Sequence, residues 1–298
     1  MRIAFDEVRN NSIKSYLLMV IFIILIGALG ALIGIFYNSM YIGLSFALIF
    51  SIIYSLIGYY SGDKMILKMS KAKPVTKKEY PHLYHAAEGL AIAAGIPTPK
   101  VYVIDDSALN AFATGRDTKH ASIVVTTGLL SKLNREELEG VVAHEMSHVK
   151  NYDVRFMMLT AVLVGIVVLL SDFLLRSFLW GGHKDSKDGG KGGGILILVG
   201  LVLAILTPII GELIKLGISR KREYMADANA AILTRYPPGL ANALRKISKD
   251  PDPLVDQANR ATAHLFISTP FRKTKGFVTN IFSTHPDIND RIRRLEKM

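Results

Sequence analysis

The strongest constraint on the fold is a run of residues without any charged side chain, at positions 15–62. A membrane-spanning helix needs about 20 apolar residues, so this run is long enough for two of them. Asn38 and Ser39 interrupt its apolar character and are a natural place for a tight turn. Two further apolar stretches extend from residue 156 to about 175 and from residue 195 to about 218. The sequence therefore predicts four transmembrane helices, arranged as two hairpins.

The positive charge of the chain lies next to these apolar stretches. There are 36 lysines and arginines against 25 acidic residues, which gives a formal net charge of +11. Basic residues cluster after the second stretch, between positions 64 and 78, and after the fourth, at Arg220, Lys221 and Arg222. Such flanks mark the cytoplasmic side of a membrane protein and face anionic lipid headgroups. We expect a multi-pass plasma-membrane protein, with the lipid bilayer and not nucleic acid as the partner of this charge.

Each hairpin returns the chain to the side of the membrane that it left, so the two soluble segments can form one domain on the cytoplasmic side. A helix is predicted over residues 76–94, and strands over Lys100–Ile104 and Ala121–Thr126. We expect a mostly α-helical fold with a small β-sheet. The predicted segments are an N-terminal hairpin at residues 1–62, the first part of the soluble domain at 63–155, a second hairpin at 156–218 and the second part of the domain at 219–298.

Two histidines four residues apart form the clearest candidate for a reactive site, in the run His144-Glu145-Met146-Ser147-His148. Asn134 and Glu137 have the spacing of a capping box and predict the start of a helix that contains this run. On a helix, positions i and i+4 share one face, so both imidazoles can reach one metal ion. Glu145 stands beside them and can act as a general base on water that the metal activates.

A catalytic zinc site usually has three protein ligands, so a third one is needed. Since the chain contains no cysteine, that ligand must be a histidine or a carboxylate. Glu223 and Asp227 are four residues apart, so Glu223 could complete the set and Asp227 could accept the outer N–H of a ligating histidine. By itself this run is more typical of a charged surface helix with Arg/Glu pairs. The two-histidine motif on the same side of the membrane favours the metal site.

The residues after the motif give four further expectations. The two-histidine helix is predicted to run on into the third apolar stretch without a break. Asn151 would then share the face of His144 and His148 and could support them, whereas Asp153 is expected at the membrane interface. Arg291 could buttress the site from an amphipathic C-terminal helix.

Together the two-histidine run, the run Glu223-Tyr224-Met225-Ala226-Asp227 and the four apolar stretches resemble the HtpX family of membrane zinc metalloproteases. This family is related to the Ste24 prenyl-protein proteases in the M48 group. The resemblance covers nearly the whole chain, including Asn110-Ala111-Phe112-Ala113-Thr114-Gly115 and Ser283-Thr284-His285-Pro286. It implies a zincin-like catalytic domain that holds one zinc ion by His144, His148 and Glu223, with Glu145 as the catalytic base.

The same resemblance implies roles for three other residues. Asp227 would support a ligand from behind, Asn110 would hold the substrate backbone, and His285 would approach the substrate carbonyl from the opposite side. The extended substrate would pair with an edge strand near residues 110–127.

The implied function is a zinc endopeptidase that cleaves misfolded or damaged membrane proteins. One alternative is a prenyl-protein processing protease, which usually has more transmembrane helices. Another is a transporter or channel that uses Glu212 and Lys215 of the fourth apolar stretch. A third is a protein that binds zinc without catalysis. The sequence carries no signal of oligomeric state.

Overall fold

Two long helices form the N-terminal part of the computed structural model, which describes residues 2–36, 38–181, 220–250, 265–267 and 286–298. Helix α1 spans Arg2–Phe36 and helix α2 spans Met40–Met69. The chain turns between them at Asn38, as predicted. The φ angle of Asn38 is 53°, in the left-handed region that asparagine tolerates better than most residues.

Small residues allow α1 and α2 to pack closely. A Cβ atom added at Gly30 would lie 2.2 Å from the Cβ atom of Ala47 and 2.6 Å from the carbonyl oxygen of Gly43. Glycine at such positions lets the backbones of two membrane helices approach each other. The tight hairpin predicted from the apolar run therefore forms.

The outward faces of this hairpin carry large apolar side chains. Ile24, Ile42 and Phe46 are more than half exposed, although they stand among the most apolar residues of the chain. A contiguous exposed apolar surface of this kind is typical of helices that face lipid. Within the described residues, two helices are long and apolar enough to cross a membrane, at residues 8–35 and 40–69.

A small mixed β-sheet follows α2. Its strands are β1 at Lys73–Pro74, β2 at Lys100–Ile104, β3 at Ala111–Gly115 and β4 at Ala121–Thr126, in the spatial order β1-β2-β4-β3. Strands β2 and β4 are parallel, and the other two pairs are antiparallel. Both predicted strands are confirmed. Strand β3 forms at the edge of the sheet, within the region 110–127 where the family resemblance implied an edge strand.

Helix α3 spans Pro81–Ala94, so the helix predicted over residues 76–94 begins too early. Pro81 occupies its first turn, where the missing N–H costs nothing. Before it, the carboxylate of Glu79 accepts hydrogen bonds from the backbone N–H and the hydroxyl of Thr76 at 2.7 and 2.8 Å. These bonds hold residues 76–79 in a turn that competes with the helix.

Helix α4 spans Thr127–Lys132, and helix α5, which contains the two-histidine motif, spans Arg135–Lys150. The predicted capping box at the start of α5 is present: Asn134 Oδ1 accepts from the backbone N–H of Glu137, and Glu137 Oε2 accepts from that of Asn134. The helix is buried along most of its length because it packs against α3 on one side and the sheet on another.

The predicted continuous helix beyond the motif is wrong. Helix α5 ends at Lys150, and a separate helix α6 spans Asp153–Gly181. Tyr152 lies between them with a φ angle of 61°, a left-handed conformation that an α-helix excludes. The break changes the direction in which Asp153 projects.

Helix α6 contains the third predicted apolar stretch. Its first half packs against α1 and α2, where Phe156, Leu159 and Leu163 are buried. The fourth predicted stretch, residues 195–218, lies outside the described residues, and so do Glu212 and Lys215. The mostly helical fold with a small sheet is thus confirmed, together with two of the four predicted membrane helices as candidate spans.

The C-terminal part adds helix α7 at Arg220–Thr234, helix α8 at Pro237–Lys249 and helix α9 at Ile288–Leu295. Helices α7 and α8 both pack against α5, and α9 packs against α7 and α8. The soluble segments before and after the apolar stretches therefore share one hydrophobic core, and α5 lies at its centre.

Candidate active site

Helices α5 and α7 bring together the three residues predicted to bind a metal. One nitrogen each of His144 and His148 and one carboxylate oxygen of Glu223 lie within 4.8 Å of one another. The two Nε2 atoms are 3.2 Å apart. Glu223 Oε2 lies 3.7 Å from Nε2 of His144, and Glu223 Oε1 lies 3.5 Å from Nε2 of His148. All three side chains are buried.

The spacing of these donor atoms fits a zinc ion. Bonds of about 2.0–2.2 Å in a tetrahedron place two ligand atoms about 3.3–3.5 Å apart. The shortest observed separations, 3.2 to 3.7 Å, bracket that value, with a different oxygen of Glu223 nearest to each histidine. Two imidazoles and one carboxylate are also a donor set that catalytic zinc sites use, with the fourth position open to water or substrate.

A carboxylate holds each histidine ring from behind. His144 Nδ1 lies 3.0 Å from Asp227 Oδ1, and His148 Nδ1 lies 3.0 Å from Asp153 Oδ2. Because an ionised carboxylate can only accept, Nδ1 carries the hydrogen in the neutral form of each ring, and Nε2 then has the lone pair that a metal needs. Asp227 makes the contact that its spacing from Glu223 predicts.

The contact made by the second of these carboxylates was not predicted from the sequence. Asp153 is only 1% exposed and lies against the ring of His148. On a continuous helix it would project about 140° away from His148, and the break at Tyr152 instead returns it to the ring. Its Oδ1 atom lies 3.5 Å from Arg222 Nε. The only sequence signal for this contact was that an acidic residue stands five positions after a candidate ligand.

Asn151 caps the C-terminal end of α5 and is buried. Its Nδ2 atom lies 3.4 Å from the hydroxyl of Ser147, and its backbone carbonyl accepts a hydrogen bond from Asn11. The carboxylate against the ring of His148 belongs to Asp153. A supporting role for the side chain of Asn151 stays a prediction.

Arg291 of helix α9 lies in the interior of the site, only 1% exposed. Its guanidinium donates to both oxygens of Asp227, at 2.9 and 2.7 Å, and its Nη1 atom lies 3.5 Å from Glu223 Oε2. Burial alone would raise the pKa of Asp227, but Arg291 and His144 hold it well below its usual range. The sequence suggested a buttress at this position, and the structure gives it a specific partner.

Glu145 is buried beside the two histidines, and this burial raises the pKa of its carboxyl group. Among the described residues, the buried charged groups next to the donor atoms are three carboxylates and one guanidinium, from Glu145, Glu223, Asp227 and Arg291. The negative charge of Asp153 is offset by the nearby guanidinium of Arg222. When both histidines are neutral, as metal ligands must be, a divalent cation would balance the two remaining negative charges, which is a second reason that the site fits a metal.

Two predicted site residues remain, Asn110 and His285. Asn110 is buried directly before β3, and its Oδ1 atom accepts from the backbone N–H of Ala111 at 3.0 Å. At the outer edge of β3, the carbonyl of Ala111 accepts from the N–H of Ile267 at 2.9 Å. His285 lies outside the described residues.

Comparison with known proteins identifies the family of the chain. The sequence profile of peptidase family M48 matches residues 77–298. A protease HtpX homolog of Dictyoglomus thermophilum is 48% identical over 99% of this chain and 94% of its own length. One of Caldanaerobacter subterraneus subsp. tengcongensis is 44% identical over 100% of this chain and 98% of its own length. The crystal structure of S. mikatae Ste24p has the same fold, with a TM-score of 0.53 and 22% identity over 98% of this chain and 67% of that one. The chain therefore belongs to peptidase family M48 and, within it, to the HtpX family.

Proposed function

We propose that this membrane metalloendopeptidase binds one zinc ion per chain and cleaves misfolded or damaged membrane proteins at the cytoplasmic side of the plasma membrane. The observation that carries the proposal is the buried donor set of His144, His148 and Glu223, with the carboxyl group of Glu145 beside it. The positive flanks of the apolar stretches support the cytoplasmic orientation.

The proposed mechanism assigns a task to each side chain. When bound, zinc supplies a Lewis acid that acidifies water and polarises the peptide carbonyl. Asp227 and Asp153 hold the two histidine rings so that both Nε2 atoms face Glu223. Glu145 takes a proton from water and passes it to the leaving amine, and its raised pKa suits a proton acceptor. His285 is the proposed donor to the developing oxyanion.

We also propose that residues 63–155 and 219–298 form one zincin-like catalytic domain. The first hairpin, at residues 1–62, precedes this domain, and the second, at 156–218, interrupts it. The contacts of α5 with both α7 and α8 support this division, because they join residues before and after the second hairpin.

The position of the edge strand supports a membrane-protein substrate. Strand β3 packs against α2 and α6 as well as α5. Directly after it, Arg116 donates to the backbone carbonyl of Tyr60 in α2, and Arg155 of α6 donates to the carbonyl of Arg116 at 2.7 Å. The edge of the sheet thus lies where the catalytic domain meets the membrane helices. Ile267 already bonds the carbonyl of Ala111, so an extended segment leaving the bilayer would pair with this edge beyond that residue, with Asn110 as its proposed anchor.

The alternatives have less support. The likeness to Ste24p concerns the fold alone, whereas the HtpX homologs match the whole chain at twice the identity. A transporter path through Glu212 and Lys215 falls on residues outside the described ones. A purely structural zinc site normally has four protein ligands, and within the described part of the chain the donor group has three.

The direct test measures zinc content and casein cleavage of the full-length protein purified in detergent. We expect one zinc per chain, loss of cleavage after chelation and recovery when zinc is added back. An unfolded membrane protein should be cleaved faster than its folded form. Bound zinc without cleavage of either substrate would favour the non-catalytic alternative instead.

The zinc affinity of the protein is expected to rise with pH. Burial opposes a charge on His148, but the hydrogen bond to Asp153 and the charge of Glu223 outweigh it and raise the pKa of His148 to about 9. Zinc binds only the neutral imidazole, so below that pH a proton must leave. We expect affinity to increase about tenfold per pH unit between about pH 7 and 9, and to level off above.

Competition with a chromophoric chelator measures this dependence. Asp153→Asn is the matched variant, because it removes the main group that raises the pKa of His148 and should move the plateau toward neutral pH. A flat affinity of the parental protein from pH 7 to 9 would contradict the prediction.

A further inference from the structure

A polar residue of the first membrane helix reaches the zinc site from outside the catalytic domain. Asn11 of α1 is completely buried. Its Nδ2 atom donates to Asp153 Oδ1 at 2.7 Å and to the backbone carbonyl of Asn151 at 3.0 Å. Because both partners can only accept, the amide has one orientation that satisfies them.

The hydrogen bonds form a continuous path to a proposed ligand. One oxygen of Asp153 accepts from Asn11, and the other lies 3.0 Å from Nδ1 of His148. Such outer partners fix the tautomer and the orientation of a ligating histidine. The carboxylate of Asp153 is therefore held at both oxygens, and its position depends on α1 as well as on α6.

The side-chain amide of Asn11 destabilises the protein through its oxygen, which indicates that its N–H donors have a specific role. Asn11 Oδ1 is buried and has no hydrogen-bond partner among the described residues. A buried polar atom without a partner destabilises a protein, and a leucine of nearly the same size would avoid that cost in an apolar helix. The two acceptors that face Nδ2 are the reason the structure offers for an asparagine here.

We propose that Asn11 is a positioning residue of the zinc site, by which the first membrane helix fixes Asp153 and, through it, the ring of His148. This inference rests on the proposed zinc function. Its rival is a purely structural role, in which Asn11 joins α1 to the connection between α5 and α6 through the carbonyl of Asn151.

The experiment compares Asn11→Leu with Ser15→Ala in the full-length protein. Ser15 is a matched control, because it is also buried in α1 one turn further on, and its hydroxyl donates only to the backbone carbonyl of Asn11. Zinc affinity is measured by chelator competition, and ligand geometry by the visible absorption of the Co²⁺-substituted protein. Loss of an outer partner typically costs 10–100-fold in metal affinity.

We expect Asn11→Leu to weaken zinc binding about tenfold and to alter the Co²⁺ spectrum, while Ser15→Ala changes neither. In an Asp153→Asn background, the same Asn11→Leu substitution should have little further effect, because it acts through Asp153. Parental affinity and spectrum in Asn11→Leu, or an equal effect in both backgrounds, would overturn the inference.

Folding is checked by thermal unfolding of each variant without zinc, with Asn11→Ala as a second variant. If both Asn11 variants unfold while Ser15→Ala remains folded, Asn11 is a structural residue and the inference is wrong. A parental protein that binds no zinc would instead refute the proposed function, so the two failures are distinguishable.

Discussion

Glu145→Gln is expected to abolish peptide cleavage while leaving zinc bound. The amide cannot take a proton from water, so the general base of the proposed mechanism is lost. General acid–base catalysis by a positioned side chain contributes about 10²–10⁴-fold, and Glu145 serves two proton transfers, so we expect a loss at the upper end of that range. Zinc content should stay at the parental level, because the three donor atoms come from His144, His148 and Glu223.

Casein cleavage and zinc content of the same preparation test this prediction. Glu139→Gln is the matched control: it lies on the same helix α5, but its carboxylate pairs at the surface with Arg135 at 2.8 Å. That variant should keep both zinc and activity. Cleavage by Glu145→Gln at the parental rate would refute the assigned role, and loss of zinc would show that Glu145 helps to hold the metal.

The two-histidine helix could be predicted because its signals are local. The capping box at Asn134 fixes the start of α5, and the i, i+4 spacing of His144 and His148 fixes which side chains share a face. Glu223 and Asp227 follow from the same spacing rule on α7. Since a helix imposes its own geometry, the pairing within each helix needed no knowledge of the tertiary structure, whereas the choice of Glu223 as third ligand also rested on the predicted membrane topology.

The parts that could not be predicted depend on the path of the chain between helices. The sequence around Tyr152 contains neither glycine nor proline, so it gave no reason to expect a left-handed residue between α5 and α6. That single conformation decides whether Asp153 faces lipid headgroups or His148. Asn11 is separated from Asp153 by more than a hundred residues, and a lone asparagine before an apolar run has no local signature.

Arg291→Met is expected to cause the largest loss of stability among single substitutions in the site. The guanidinium binds both oxygens of Asp227, and Glu223 and Glu145 lie in the same buried region. Removing one partner of a buried ion pair leaves an uncompensated charge and costs about 3–5 kcal/mol. Arg291→Lys should be intermediate, because it keeps the charge but cannot bind both oxygens as a planar fork.

Denaturant unfolding of the detergent-purified protein measures the effect. Arg293→Met is the matched control on the same helix α9, since Arg293 is exposed and lies 3.6 Å from Asp290 at the surface. Its loss should change stability by less than about 0.5 kcal/mol. Equal stability of Arg291→Met and the parental protein would show that Asp227 does not need this counter-charge.

The charge balance of the site adds a second condition to this prediction. Without a divalent cation, the guanidinium of Arg291 is a permanent positive charge that faces Glu145, Glu223 and Asp227, and the protonated ring of His148 adds a second positive charge below about pH 9. With zinc bound, part of that field comes from the metal. Arg291→Met should therefore destabilise the zinc-free protein more than the zinc-loaded one. The same loss in both forms would mean that Arg291 acts only through its packing and its hydrogen bonds to Asp227, and that the buried carboxylates are not held together by a shared positive charge.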